Sequence, residues 1–232
     1  IRKTIALKMQ KSSSEIPHAV SMMEVDVTKL DVVRKQEKPV AENKGLKLTF
    51  LPFIIRAVVA ALKKHPFMNA TFDLENEKII TKQYYNIGVA VDTAHGLMVP
   101  VVKKVDAKSI LDIAFWIQKL SDQARGRTIA LDDLRGGTFT ITNYGSIGGS
   151  FGVPIINYPE SGILGVGRIT EKPVVVKSTG LLSGEKKIEI RKMLPLSLSF
   201  DHRVVDGAQA ARFMVDLKKL LEDPNLLLID IA

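Results

Sequence analysis

The residues best suited to chemistry lie together near the end of the 232-residue chain, where Asp201-His202-Arg203 is followed by Val204-Val205-Asp206-Gly207. With an ordinary pKa of about 6.5, a histidine can take and return a proton near neutral pH. A carboxylate four residues on, at a helix start, would make His202 a general base with Asp206 as its electrostatic orienter. Spacing alone favours a plainer reading, a loop histidine followed by a helix cap. A second candidate is Gly148-x-Ser150-x-Gly152, the nucleophile-elbow pattern of serine hydrolases. An elbow needs a strand running into the serine and a helix leaving it, whereas Ser150 follows a glycine loop and precedes Val153-Pro154 and Pro159. A tightly turned or mobile loop accounts for it better. The remaining histidines are His18, read as structural, His65 at a helix end and His95 in a turn. None pairs at metal-ligand spacing, and HExxH, phosphate-loop and dinucleotide motifs are all lacking, so no metal is expected.

The elements around His202 follow from periodicity. Leu194 to Phe200 alternates Leu with Pro or Ser, a period-2 strand with Leu194, Leu196, Leu198 and Phe200 packed inward and Ser197 and Ser199 facing away. His202 falls where that strand stops. Ala208 to Glu222 carries Ala210, Phe213, Met214, Leu217, Leu220 and Leu221 at helical spacing, with Asp206 as N-cap. Upstream, Ile1 to Met9 reads as a short amphipathic helix ended by Ser12-Ser13-Ser14, Ala19 to Val27 as a strand, and Thr28 as the cap of another helix. Leu51 to His65, opened by Pro52, is a largely buried helix. Ile87 to Asp92 and Leu97 to Val102 form a hairpin, and Ser109 caps a helix bearing Ile110, Ile113, Ile117 and Leu120. Further strands are expected at Lys78 to Thr81, Thr138 to Asn143, Gly162 to Ile169, Val174 to Lys177 and Lys187 to Met193. The pattern is a mixed-sheet α/β domain.

With 46% hydrophobic residues the chain can bury one large core, and no linker divides 1–232. It has no cysteine, which excludes disulfides and thiolate catalysis and fits an intracellular setting. The longest apolar stretch, Leu51 to Leu62, is broken by Pro52 and Arg56 and is too short for a bilayer. The net charge of +8 is spread over scattered lysines not interleaved with aromatics, which argues against nucleic acid and is compatible with polyphosphate ligands or acidic protein domains.

Ser199-Phe200-Asp201-His202-Arg203-Val204-Val205-Asp206-Gly207 resembles the signature of the dihydrolipoamide acyltransferases, the E2 cores of 2-oxo acid dehydrogenase complexes, which are similar in turn to chloramphenicol acetyltransferase. Arg2 to Ala6, Ile16-Pro17-His18, Phe139 to Asn143, Pro154 to Asn157 and Ile163 to Gly167 extend the resemblance over nearly the whole chain. It implies a chloramphenicol acetyltransferase-like fold, a mixed β-sheet sandwiched with helices. It implies transfer of an acyl group from S-acyl-dihydrolipoyl-lysine to coenzyme A, with His202 as base, the Thr142 hydroxyl as oxyanion donor assisted by Asn143, and Asp206 in a structural ion pair with Arg2. A serine hydrolase using Ser150 and a non-catalytic scaffold are the alternatives. The resemblance further implies a homotrimer with His202 and Thr142 on opposite sides of its interface, and a tail, Leu226 to Ala232, inserted into a neighbouring trimer to build a cage. The lipoyl group belongs to a separate domain, because no Asp-Lys-Ala turn occurs here. A chain opening on Ile1 reads as a piece of a longer polypeptide with lipoyl and subunit-binding modules ahead of it. E1 and E3 components are the expected partners, with no nucleic acid or membrane. The setting is cytoplasmic, or the mitochondrial matrix if eukaryotic.

Overall fold

The computed structural model describes residues 2–94, 96–177 and 185–229. In chain order the elements are α1 (Arg2–Glu15), β1 (His18–Asp26), α2 (Thr28–Glu42), α3 (Leu51–Lys64), β2 (Ala70–Asp73), β3 (Lys78–Thr81), β4 (Ile87–Val89), β5 (Val101–Val102), α4 (Ile110–Arg125), β6 (Phe139–Asn143), β7 (Gly162–Val166), β8 (Thr170–Lys177), β9 (Lys186–Asp201), α5 (Gly207–Glu222) and α6 (Leu226–Ile229). Seven strands form one mixed sheet in the order β1-β9-β7-β6-β4-β5, with β8 on the other half of β9, and β2 and β3 form a separate ribbon. The expected mixed sheet with helices is the observed architecture.

The expected strands Lys187 to Met193 and Leu194 to Phe200 are one sixteen-residue strand. Proline is tolerated inside it for a local reason. Met193 pairs with Thr170 of β8 and Leu196 with Val166 of β7, so Pro195 sits at the joint between two partners, where a missing N–H breaks no ladder bond on that side. α1 also differs from expectation. Ser12-Ser13-Ser14 does not end it, because the Ser12 hydroxyl is buried and donates to the Ile156 carbonyl at 2.6 Å, so a helical serine is fully satisfied. Thr28 is not a cap but the first residue of α2, its hydroxyl donating to Asp26 Oδ1 at 2.5 Å. Ser109 does cap α4, in a capping box with Asp112. β2 was not legible as a strand.

The registers sort the sheet into two faces. Phe139, Ile141, Leu164, Val166, Leu196, Leu198 and Phe200 share one face and join a core with α3 and α5 residues such as Ile54, Ile55, Phe213 and Leu217. Helix α3 buries every residue from Pro52 to Leu62, including Arg56, whose Nη1 donates to the Asp106 carbonyl at 3.0 Å. Thr140, Thr142, Ile163, Gly165, Ser197 and Ser199 share the opposite face, since Thr140 pairs with Ile163 and Ile163 with Ser199, and Thr142 with Gly165 and Gly165 with Ser197. This face is not solvent: Ser197 and Ser199 are buried. Residues 144–160 cover it, tied down by Ser12 and by a small apolar cluster of Ile16, Ile156 and Ile163.

Beneath that cover Glu160 is buried, accepting from the Thr140 hydroxyl at 2.6 Å and from Asn157 Nδ2 at 2.9 Å. Burial pushes its carboxyl up from 4.5 to about 7, against the hydrogen bonds from Thr140 and Asn157 and the charge of Lys82. The folded chain therefore holds a proton that the unfolded chain has released between those two values, so stability is greatest below pH 4.5 for this group and declines as pH rises to about 7. The loss is on the order of 3 kcal/mol. Urea midpoints measured from pH 5 to 8 should fall in the wild type, while Glu160→Gln should flatten that decline and be the more stable protein at pH 8. An unchanged pH dependence in the variant would assign the effect elsewhere.

Candidate active site

β9 delivers His202 into a tight turn closed by Val204 N–H and Val205 N–H, which both donate to the Asp201 carbonyl at 3.0 and 2.9 Å. Val204 and Val205 are buried and anchor the turn to the core. The backbone N–H of His202 donates to the Pro17 carbonyl at 3.1 Å, and its ring lies against Phe200 with centroids 5.7 Å apart. The imidazole is exposed and makes no hydrogen bond among the described residues. Asp206 is the N-cap of α5, as its position predicts. Its Oδ1 accepts from Gln209 N–H at 2.7 Å and its own N–H donates to Gln209 Oε1, closing a capping box. Among the described residues no hydrogen bond or ion pair links Asp206 to His202, so nothing there orients the ring. The expected Arg2 partner cannot be placed, because the Arg2 side chain lies outside the described residues, as does His95.

The neighbours of His202 supply what spacing did not reveal. Asp201 is buried, and Arg203 grips it by Nε to Oδ1 at 3.0 Å and Nη2 to Oδ2 at 2.7 Å, with the Arg203 N–H adding a bond at 3.0 Å to Oδ1. The Arg203 guanidinium also stacks 4.6 Å from the centre of the Phe72 ring, on the unforeseen β2. The guanidinium meets the carboxylate through two parallel N–H···O bonds, the bidentate geometry that suits an arginine–carboxylate pair. His18, paired with Asp201 across β1 and β9, is structural: Nδ1 bonds the Ile16 carbonyl at 2.8 Å and Nε2 accepts from Ile156 N–H at 3.1 Å, which fixes a neutral tautomer protonated at Nδ1.

Thr142 lies in β6, half-buried, and its hydroxyl has no hydrogen-bond partner among the described residues. Asn143 has its Oδ1 occupied by Gly145 N–H at 3.1 Å in a local turn. The loop beyond is held by close backbone crossings: a Cβ on Gly145 would lie 2.3 Å from the Gly167 carbonyl, and one on Gly167 would lie 1.9 Å from that of Ser150. The loop that carries the Gly148-x-Ser150-x-Gly152 pattern is therefore locked in place. Strand β6 stops at Asn143, seven residues before Ser150, and no helix leaves the serine.

The chain does not bring Thr142 and His202 together. Thr142 is level with Ser197 through Gly165. Five residues of strand separate that row from His202, ~16 Å, and two strand spacings add ~10 Å sideways, so the two backbones lie ~19 Å apart. Among the described residues no cluster of three His, Cys, Asp or Glu could hold a metal, and no helix is long and apolar enough to cross a membrane.

A sheet of this topology with a histidine turn at one end and a bare threonine hydroxyl at the other defines a chloramphenicol acetyltransferase-like fold; that enzyme superposes over 93% of this chain with a TM-score of 0.56 at 12% identity, a likeness of fold alone. The family model for the 2-oxoacid dehydrogenases acyltransferase (catalytic domain) matches residues 1–229, and the chain belongs to that family. A dihydrolipoyllysine-residue acetyltransferase component of the pyruvate dehydrogenase complex from Bacillus subtilis is 46% identical over 230 residues, which is 99% of this chain and 50% of the relative. The chain spans about half the length of the curated relatives it matches. Two solved structures, each 39% identical with a TM-score of 0.91 and covering 98% of this chain and 90% of theirs, are the Azotobacter vinelandii dihydrolipoamide acetyltransferase, studied for a serine, a histidine and an asparagine in its catalytic mechanism, and the cubic core of a pyruvate dehydrogenase multienzyme complex.

Removing one partner of the Asp201–Arg203 clamp leaves the other charge and its donors unmatched in a mostly buried site, so Asp201→Ala should lower unfolding free energy by about 3 kcal/mol. Asp201→Asn, which keeps an acceptor, should lose less. Equal losses in urea melts would mean that shape, not charge, holds the turn.

Proposed function

We propose that this chain is the catalytic core of an E2 component, transferring an acyl group from S-acyl-dihydrolipoyl-lysine to coenzyme A, and that each site is completed by two copies of the chain. The observation that carries this reading is the ~19 Å between His202 and Thr142, two groups with free polar atoms that no motion of a packed sheet can bring to one reacting carbonyl. In the reaction His202 takes the proton of the coenzyme A thiol as its sulfur forms a bond to the thioester carbonyl carbon. Charge builds on the carbonyl oxygen, where the Thr142 hydroxyl of a second copy donates; one such donor contributes about 3 kcal/mol. The intermediate collapses by breaking the bond to the dihydrolipoyl sulfur, which recovers the proton from His202. No acyl-enzyme is needed, so the missing cysteine and the locked Ser150 are no obstacle.

Asp206 is assigned to holding the start of α5, and with it the turn, through an ion pair with Arg2. In the Azotobacter relative an asparagine stands four residues after the histidine, the spacing of Asp206 from His202 here. The reading includes a homotrimer built into a larger core, with Leu226 to Ala232 joining trimers; a similar chain forms the cubic core of a multienzyme complex. Leu227 is buried against this chain's own core, and residues 230–232 lie outside the described ones. A single domain over 1–232, a lipoyl group on a separate domain, E1 and E3 partners and a cytoplasmic or mitochondrial-matrix setting complete it.

His202→Ala should lower turnover by about 10² to 10⁴-fold with folding intact. Thr142→Ala should cost roughly 10²-fold, and Thr142→Ser little. If the site spans two copies, unfolding and refolding the two inactive variants together should restore part of the activity that neither shows alone; no recovery in mixed assemblies would return both residues to one chain. Arg2→Ala and Asp206→Ala should combine less than additively in activity if they pair.

A further inference from the structure

Beside Thr142 the protein holds an aromatic ring in a fixed position. Tyr144 lies one residue past the end of β6, and its contacts with Gly165 and Ser197 place the ring on the Thr142 face of the sheet. The ring turns back across β7: a Cβ on Gly165, the residue paired with Thr142, would lie 2.7 Å from Tyr144 Cε1 and from its hydroxyl. That hydroxyl donates to Ser197 Oγ at 3.0 Å, and Ser197 is the next residue in the row. Two loop glycines close on the ring, with added Cβ atoms 3.0 Å from Cδ2 at Gly149 and 3.3 Å from Cε1 and Cζ at Gly152. Gly152 N–H also reaches Ser197 Oγ, at 3.4 Å. Pressed by three glycines and tethered at its tip, the ring cannot leave the row Thr142, Gly165, Ser197.

We propose that Tyr144 is a specificity-determining residue, the wall of the acyl pocket that limits this enzyme to short unbranched acyl groups, acetyl and propionyl. The inference rests on the acyl-transfer reading above, because it takes the thioester carbonyl to sit on the Thr142 hydroxyl. Neighbouring strands are ~4.8 Å apart, and an alkyl carbon meets an aromatic carbon at ~3.5 to 4.0 Å. An acyl chain running from that carbonyl along the row towards β9 therefore touches the ring after about one carbon. Two residues back along β6, level with Thr140, the space towards β4 is filled as well, since a Cβ on Gly88 would lie 2.9 Å from Val99 Cγ1 and 2.8 Å from Thr140 Oγ1. A branched four- or five-carbon chain would have to expel a ring that has nowhere to go. Tyr144 acts by shape, so its phenyl ring matters and its hydroxyl serves only to pin it.

The test is the kcat/KM of the assembled protein for acetyl-, propionyl-, butyryl-, isobutyryl- and isovaleryl-coenzyme A with free dihydrolipoamide. In the wild type, acetyl should exceed isobutyryl by about tenfold or more, the scale of a misfitted methyl or methylene. Tyr144→Leu should move that ratio at least tenfold towards the branched groups, and Tyr144→Phe, which keeps the ring, should leave it within about threefold. A wild type that uses isobutyryl as well as acetyl overturns the wall even if Tyr144→Leu fails to fold, and so does a folded Tyr144→Leu that slows every acyl group alike. No transfer from any acyl-coenzyme A by the wild type would instead overturn the acyltransferase reading on which the wall depends.

Discussion

The structure depends on the register of β9. This strand pairs with β1 on one side and hands over from β8 to β7 on the other, and its alternation puts Leu196, Leu198 and Phe200 into the helical core while Ser197 and Ser199 meet the opposite cover. A slip of one residue would exchange the two sets, burying serines among leucines and pointing Phe200 at the loop, so the register is strongly specified. Pro195 fits it, because at the joint between β7 and β8 its missing donor goes unused. His202 inherits its position from this strand and adds little to hold it. The Asp201–Arg203 clamp, the Pro17 carbonyl and the buried Val204 and Val205 do that.

A rigid sheet also limits what one chain can do. Strands transmit position accurately but cannot fold back, so groups at opposite ends of neighbouring strands remain a strand length apart. The proposed chemistry therefore makes assembly a catalytic requirement rather than a matter of stability alone. The exposed imidazole and the unbonded Thr142 hydroxyl are consistent with halves of a site whose complement comes from elsewhere, since a polar group completed within its own chain is normally already hydrogen-bonded when buried.

The second face is where the fold carries its costs. Glu160, Thr140 and Asn157 are hydrogen-bonded to one another, so loss of any one leaves the others short of a partner. The glycines of the covering segment and of β7 and its exit answer a different demand. Gly145 and Gly167 let backbones cross within contact of each other, and Gly149, Gly152 and Gly165 leave room for one aromatic ring. The chain has placed its unusual residue types where backbone or ring must come close, beside the row that carries Thr142.

Local pattern along the chain settles the mixed α/β class, the capped helices α4 and α5, the burial of α3, the strand leading to His202 and the family motif, because each is written in local periodicity, a capping residue or a contiguous signature. It also placed Asp206 correctly as a cap. What it left undecided depends on pairings far apart in the chain. The unity of β9 depends on two different partner strands, β2 is a strand only beside β3, the continuation of α1 through three serines depends on Ile156, and the lock on Tyr144 depends on Gly165 and Ser197. Above all, the distance between Thr142 and His202 cannot be read from a one-dimensional string, since sixty positions of sequence say nothing of whether two residues share an end of a sheet. Register, a property of tertiary pairing, puts them at opposite ends.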